Sequence, residues 1–157
     1  MKVHLLLITI QALGCSSGNE TFVPGSETNI PNPLVVDVTG KAYEWHIRYP
    51  GPDGLPDTAD DHHALRDLAL PALTDVRLQL HSRDYLYTFT LPHLDLKEIA
   101  IPDLMFHLEF NTGPEGIHEL LGDQMCGYSH PKLMGKLNVV SHNDFNSLVH
   151  IRSQSGL

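Results

Sequence analysis

The run Cys126-Gly127-Tyr128-Ser129-His130-Pro131-Lys132-Leu133-Met134 sets a thiol, an imidazole and a thioether at C-x3-H-x3-M spacing. Thiolate, imidazole and a weak axial thioether are the donors of copper centres that pass single electrons. A short loop suits that chemistry, because the flanking strands hold all three groups at fixed distance while the metal changes oxidation state. The competing explanation is a Cys, a His and a Met brought together by chance. A second candidate is Gly51-Pro52-Asp53-Gly54-Leu55-Pro56-Asp57-Thr58-Ala59-Asp60-Asp61, where Asp53, Asp57, Asp60 and Asp61 could wrap Ca²⁺ through hard oxygens. Its spacing is not that of an EF-hand. A solvated acidic hairpin, or a docking face for a cationic redox partner, explains the same residues. His62, His63, His118 and Glu119 form no H-E-x-x-H run, and no Ser/His/Asp spacing is present, so nothing points to catalysis within the chain.

The elements that must position these groups fit one domain. With 157 residues, 41% of them apolar, the chain can bury one core. Ten Lys+Arg against 19 Asp+Glu give a formal charge of -9, the wrong sign for a nucleic-acid binder and the right one for a cationic partner. The two cysteines, Cys15 and Cys126, sit in unlike surroundings and imply no disulfide framework.

Met1–Gly14 combines Lys2, the apolar run Val3–Ile10 and a small-residue approach to Cys15, while a bilayer span needs about 20 apolar residues. It reads as a secretory signal and resembles a bacterial lipoprotein signal, in which Cys15 becomes the lipidated first residue. The alternative is plain secretion with Cys15 lost or free. Either reading predicts export to a bacterial periplasm or cell envelope, with a lipid anchor in the first. Residues 15–33 are rich in Ser, Asn, Gly and Pro and read as a flexible tether. From Leu34 onward, short alternating runs broken by Pro and Gly predict an all-β sandwich of about eight strands over 34–141. The candidate strands are Leu34–Thr39, Lys41–Tyr49, Thr74–His81, Tyr85–Leu91, Leu94–Ile101, Leu104–Phe110, Ile117–Leu121 and Lys136–Val140. His62–Leu70 is expected as one or two helical turns, and 142–157 as a frayed C-terminal tail.

Several segments together resemble the periplasmic copper domain of cytochrome c oxidase subunit II. They are Gly40–Trp45 leading to Tyr49, Leu80–Pro92, Leu96–Pro102, Gly113–Gly116 and Met125–His130, in the family's order over about a hundred residues. The resemblance implies a cupredoxin-like Greek-key sandwich, a dinuclear copper centre and an electron-relay role inside a larger oxidase. It also implies that Tyr43 and Trp45 stand where the family receives the incoming electron, Tyr43 replacing a Trp. Cys126 and His130 match the family's second Cys and second His, and Gln124 stands where a Glu lends its backbone carbonyl. The rest of the centre departs from the pattern. Tyr87 replaces the first His, Gly122 the first Cys and Leu133 the Met, with Met134 one place later. Without two bridging thiolates the dinuclear centre cannot form. The favoured expectation is one copper on Cys126, His130 and Met134, with His93, His81 or a Tyr87 phenolate as a further ligand and one-electron transfer to a periplasmic protein such as a c-type cytochrome, or within an oxidase complex. The alternative is a non-redox accessory or interaction module that has lost the metal.

Overall fold

Alternation at period two is what builds this molecule. Along Asp75–Ser82, Val76, Leu78, Leu80 and Ser82 are buried while Arg77, Gln79 and His81 face outward, the pattern of a strand with one dry face. The computed structural model describes residues 32–54, 58–124 and 128–153. The expected signal, most of the expected tether with Cys15, Asp57 and Cys126 therefore lie outside the described residues.

The strands are β1 (Leu34–Lys41), β2 (Glu44–Tyr49), β3 (His62–Leu65), β4 (Leu68–Pro71), β5 (Asp75–Ser82), β6 (Tyr87–Leu91), β7 (Leu96–Ala100), β8 (Phe106–Asn111), β9 (Gly116–Gln124), β10 (Tyr128–Ser129) and β11 (Gly135–Val140). Single 3-10 turns cover Pro92–Leu94 and Pro131–Leu133, and a helix, α1, covers His142–Ser153. One sheet runs β3-β2-β1-β5-β8 and the other β4-β11-β9-β6-β7, with β10 added to β9. Two neighbouring pairs are parallel, β1 with β5 in the first sheet and β11 with β4 in the second. The core between them is lined by Val36, Val38, Trp45, Ile47, Leu78, Leu80, Phe89, Leu120 and Leu137, all buried.

All eight expected strands are present, with ends shifted by a few residues. Two expectations are corrected. His62–Leu70 is not helical but forms β3 and β4, joined by a bend in which Arg66 takes φ 67°; the short apolar run had no period to separate strand from helix. The expected tail is helical over His142–Ser153. Ser141 Oγ accepts from the Asp144 N–H at 3.1 Å and donates to the Asp144 carboxylate at 2.8 Å, a side-chain N-cap that starts α1. Phe145 and Val149, four apart, bury its inner side against β3 and β4. No helix among the described residues is long and apolar enough to cross a membrane.

Candidate functional site

The β1–β2 hairpin turns through Ala42 and Tyr43, both with positive φ (51° and 63°). Two left-handed residues are what a two-residue hairpin of this kind requires, and neither is a glycine. Two long-range bonds hold them there. The Ala42 N–H donates to Asp84 Oδ2 at 2.6 Å, and the Tyr43 N–H donates to the Tyr87 hydroxyl at 3.2 Å. Tyr87 completes the frame by donating its own hydroxyl proton to Asp84 Oδ1 at 2.8 Å. Burial alone would raise the Asp84 carboxyl, but the Ala42 N–H, the Tyr87 hydroxyl and the Tyr85 N–H outweigh it and hold it below the usual carboxylate range. Burial foremost, opposed by the Tyr43 N–H and reinforced by Asp84, holds the Tyr87 phenol well above its ordinary value.

Around this frame the aromatic rings touch in series. Tyr43 stacks on Tyr85 with centroids 5.1 Å apart and on His130 at 5.0 Å, and meets Tyr87 edge-on at 6.3 Å. Tyr87 in turn lies edge-on to Trp45 at 5.8 Å, and Trp45 to Phe89 at 5.3 Å. His130 therefore does reach the Tyr43–Tyr87 end of the sandwich. Its Nδ1 accepts from the Lys132 N–H at 3.4 Å, which orients the ring before the Pro131–Leu133 turn.

Of the other candidate donors, Tyr87 and Gln124 share this end, while His81 and His93 lie on other surfaces. Met134 is 45% exposed, whereas Leu133 beside it is fully buried and its carbonyl accepts from Trp45 Nε1 at 3.1 Å. Tyr87 donates its hydroxyl proton to Asp84, and its phenol is held well above its ordinary value, burial first. His81 lies on the outward face of β5, paired across from Thr39, and its Nε2 is 2.5 Å from Thr39 Oγ1 and 3.8 Å from Asp37. His93 lies in the Pro92–Leu94 turn beyond the far end of β6, a strand that covers about 13 Å from Tyr87 to Leu91. There it stacks on His118 with centroids 3.8 Å apart. Gln124 ends β9 opposite Tyr87 and Tyr128.

Gly122 decides whether a thiolate could return to the first cysteine position. A Cβ built there would sit 2.7 Å from Trp45 Nε1 and 2.8 Å from the Leu133 carbonyl oxygen. On the opposite wall, a Cβ on Gly40 would sit 2.4 Å from the Tyr87 ring. The space between the strands is filled by ring and backbone, and the described residues do not fit a dinuclear copper centre. Among the described residues no group of three or more His, Cys, Asp or Glu is placed to hold a metal.

In the acidic loop the carboxylates of Asp60 and Asp61 bond to groups of the loop itself. Asp61, buried, accepts from the Gly51 N–H at 3.2 Å and the Thr58 N–H at 3.3 Å, and lies 3.8 Å from Arg48 Nε. Asp60 accepts from Thr58 Oγ1 at 2.6 Å and the Asp53 N–H at 3.5 Å, and the Thr58 hydroxyl is the main reason its carboxyl sits below the ordinary range.

The family description "Cytochrome C oxidase subunit II, periplasmic domain" matches residues 60–140, just over half of the chain. The chain belongs to the cytochrome c oxidase subunit II family. Cytochrome c oxidase subunit 2 of Thermostichus vulcanus is 30% identical over 114 residues, 73% of this chain and 32% of that protein. The Synechocystis subunit 2 is 31% identical over 105 residues, 67% of this chain and 29% of that protein. This chain thus spans about a third of the length of these relatives. The periplasmic domain of oxidase subunit II from Bradyrhizobium japonicum superimposes with a TM-score of 0.68 at 21% identity, over 81% of this chain and 99% of that one. The sandwich is therefore cupredoxin-like. Sequence reading did not single out Asp84 and Tyr85 as site residues. The Asp84-x-x-Tyr87 spacing, a short carboxylate just ahead of a strand-opening Tyr, is the signal that could have found the first.

Proposed function

We propose that this chain is an exported subunit II-type module that has exchanged its copper centre for a packed tyrosine frame and serves as an accessory or docking domain of an oxidase complex. The anchor would be a lipid on Cys15. The single observation behind this reading is that the positions of the first His and first Cys hold Tyr87 and Gly122. The former is locked to Asp84, and the latter is walled by Trp45 and the Leu133 carbonyl. The ring stacked on His130 is that of Tyr43, and among the described residues no group of three or more His, Cys, Asp or Glu is placed to hold a metal. The Ca²⁺ reading of the 51–61 loop loses support in the same way, since Asp60 and Asp61 are engaged by Thr58, backbone N–H groups and Arg48.

The stacking of Tyr43 on His130 favours a second reading, because it holds a ligand-type imidazole at the expected end of the sandwich. In that reading Cys126, His130 and Met134 hold one copper and exchange single electrons with a protein such as a c-type cytochrome. A Cu(II) titration followed optically and by EPR separates the two, with Cys126→Ser as control. The accessory reading expects no intense thiolate-to-copper band and a melting temperature unchanged by chelator. A strong band at one equivalent of copper, lost in Cys126→Ser, overturns it and establishes the mononuclear site.

A further inference from the structure

The outward face of the β3-β2-β1-β5 part of the first sheet runs against the charge of the chain. A depression of about 270 Å³ there is lined by Lys41, His46, Arg48, His63, His81 and Arg83, with Asp37 as its carboxylate. Three of the ten Lys+Arg of a chain with formal charge -9 thus meet at one place. Asp37 is already engaged by Thr39 Oγ1 at 3.0 Å and Arg48 at 3.7 Å. Lys41 and Arg83 are exposed, and among the described residues neither side chain is held in an ion pair. Unpaired cations gathered on an acidic protein are an anion-facing surface.

The same face carries a second, independent feature. His81 and Arg83 also line an adjoining depression of about 470 Å³ with Pro102, Asp103, Leu104 and Met105. A bridge between Ser82 and Pro102 ties this loop to the end of β5. Leu104 is 54% exposed and Met105 45%. Two large apolar side chains in water beside unpaired cations match an anion that carries its own apolar body. A free oxyanion would leave Leu104 and Met105 unexplained.

We propose that this face binds the surface of an anionic phospholipid bilayer, Lys41 and Arg83 meeting headgroup phosphates and Leu104 and Met105 entering the acyl boundary. The proposal does not rest on the fate of the copper site. The bulk negative charge of the chain is repelled by such a surface, so this face alone would be drawn to it and would fix the orientation of the domain.

The test is sedimentation of the full-length chain with vesicles of phosphatidylcholine alone or of phosphatidylcholine with phosphatidylglycerol. Because the apolar stretch Val3–Ile10 can bind either vesicle, the readout is the ratio of anionic to neutral partition. The expected ratio is well above one, falling about fivefold in Lys41→Gln and about fivefold again when Arg83→Gln is added, as for single cations leaving an anionic surface. Leu104→Ser with Met105→Ser is expected to lower partition to anionic vesicles without shifting the melting temperature. A ratio of one in the parent, or one unchanged by the double charge variant, overturns the proposal. So does release by millimolar inorganic phosphate at a ratio indifferent to the Leu104 and Met105 changes, which would make the face a site for a free oxyanion.

Discussion

In the 51–61 loop the oxygen donors of Asp60 and Asp61 are consumed by N–H and hydroxyl groups of the same loop and by Arg48. At the Tyr43–Tyr87–His130 end, by contrast, the donor positions have been replaced by volume: a phenol ring, a glycine and the rings that press on it. The loop keeps its carboxylates because they close a turn, and the strand end keeps its shape because its residues pack. On the proposed reading, a metal-type sequence pattern is satisfied without a metal in two ways, by internal hydrogen bonding or by filling the hole. The two ways differ in what a mutation removes.

Filling predicts the larger losses. Tyr87→Ala deletes a fully buried ring against Trp45, Tyr43 and Gly40, and is expected to cost about 3–5 kcal/mol by urea unfolding, in the range of large aromatic truncations. A loss below about 1 kcal/mol, the scale of an exposed side chain, would show the ring to be dispensable packing. Next comes Asp61→Ala, which leaves the Gly51 and Thr58 N–H groups without their carboxylate and Arg48 with Asp37, and should cost about 1.5–3 kcal/mol. Addition of calcium should leave the melting temperature of the parent unchanged; a rise that Asp61→Ala abolishes would restore the cation reading. Gly122→Cys returns the family's residue but forces a Cβ into the Trp45 indole and the Leu133 carbonyl, so overpacking of about 1–3 kcal/mol is expected without a copper band. A stable variant that gains the band would mean that Trp45 yields readily and that only the cysteine was missing.

The sandwich was legible in the sequence because each strand with one dry face alternates visibly, as in Asp75–Ser82 and Glu44–Tyr49. β3 and β4 were not, since four residues span two alternations at most and Leu68, Leu70 and Pro71 are all buried. The helix was legible only in the Ser141-x-x-Asp144 cap, which a search for apolar period passes over. At the candidate site the substitutions at positions 87 and 122 could be read, but not their consequence. That Tyr87 fastens to Asp84 lies within the local Asp84-x-x-Tyr87 spacing, whereas the separate places of His81 and His93 follow from register and strand direction, which no local motif encodes.

The hairpin gives a smaller and opposite effect. Ala42 holds φ 51° with a Cβ, a conformation that costs an L residue roughly 1–2 kcal/mol. Ala42→Gly relieves that strain but frees the unfolded chain, so a net gain of about 0.5–1 kcal/mol is expected. A loss instead would show that the bond from the Ala42 N–H to Asp84 sets the turn without strain.

The smallest effect comes from a third set of donors, the His93–His118 stack at the far end of β6. Burial first, and the neighbouring His118 second, hold the His93 imidazole below its ordinary pKa. The folded state thus resists protonating a ring that the unfolded chain protonates once the pH drops below about 6.5. Between that point and the lowered folded value the unfolded state binds more protons, so stability must fall as the pH falls; above it the ring is neutral in both states and contributes no slope. His93→Phe preserves a flat ring on His118 and removes this proton. Melting temperatures from about pH 7.5 to about 5.5 should therefore drop less in the variant than in the parent. Equal drops would mean that the stacked pair titrates freely, and that only the Tyr87 end and the acidic loop have committed their polar groups to the fold.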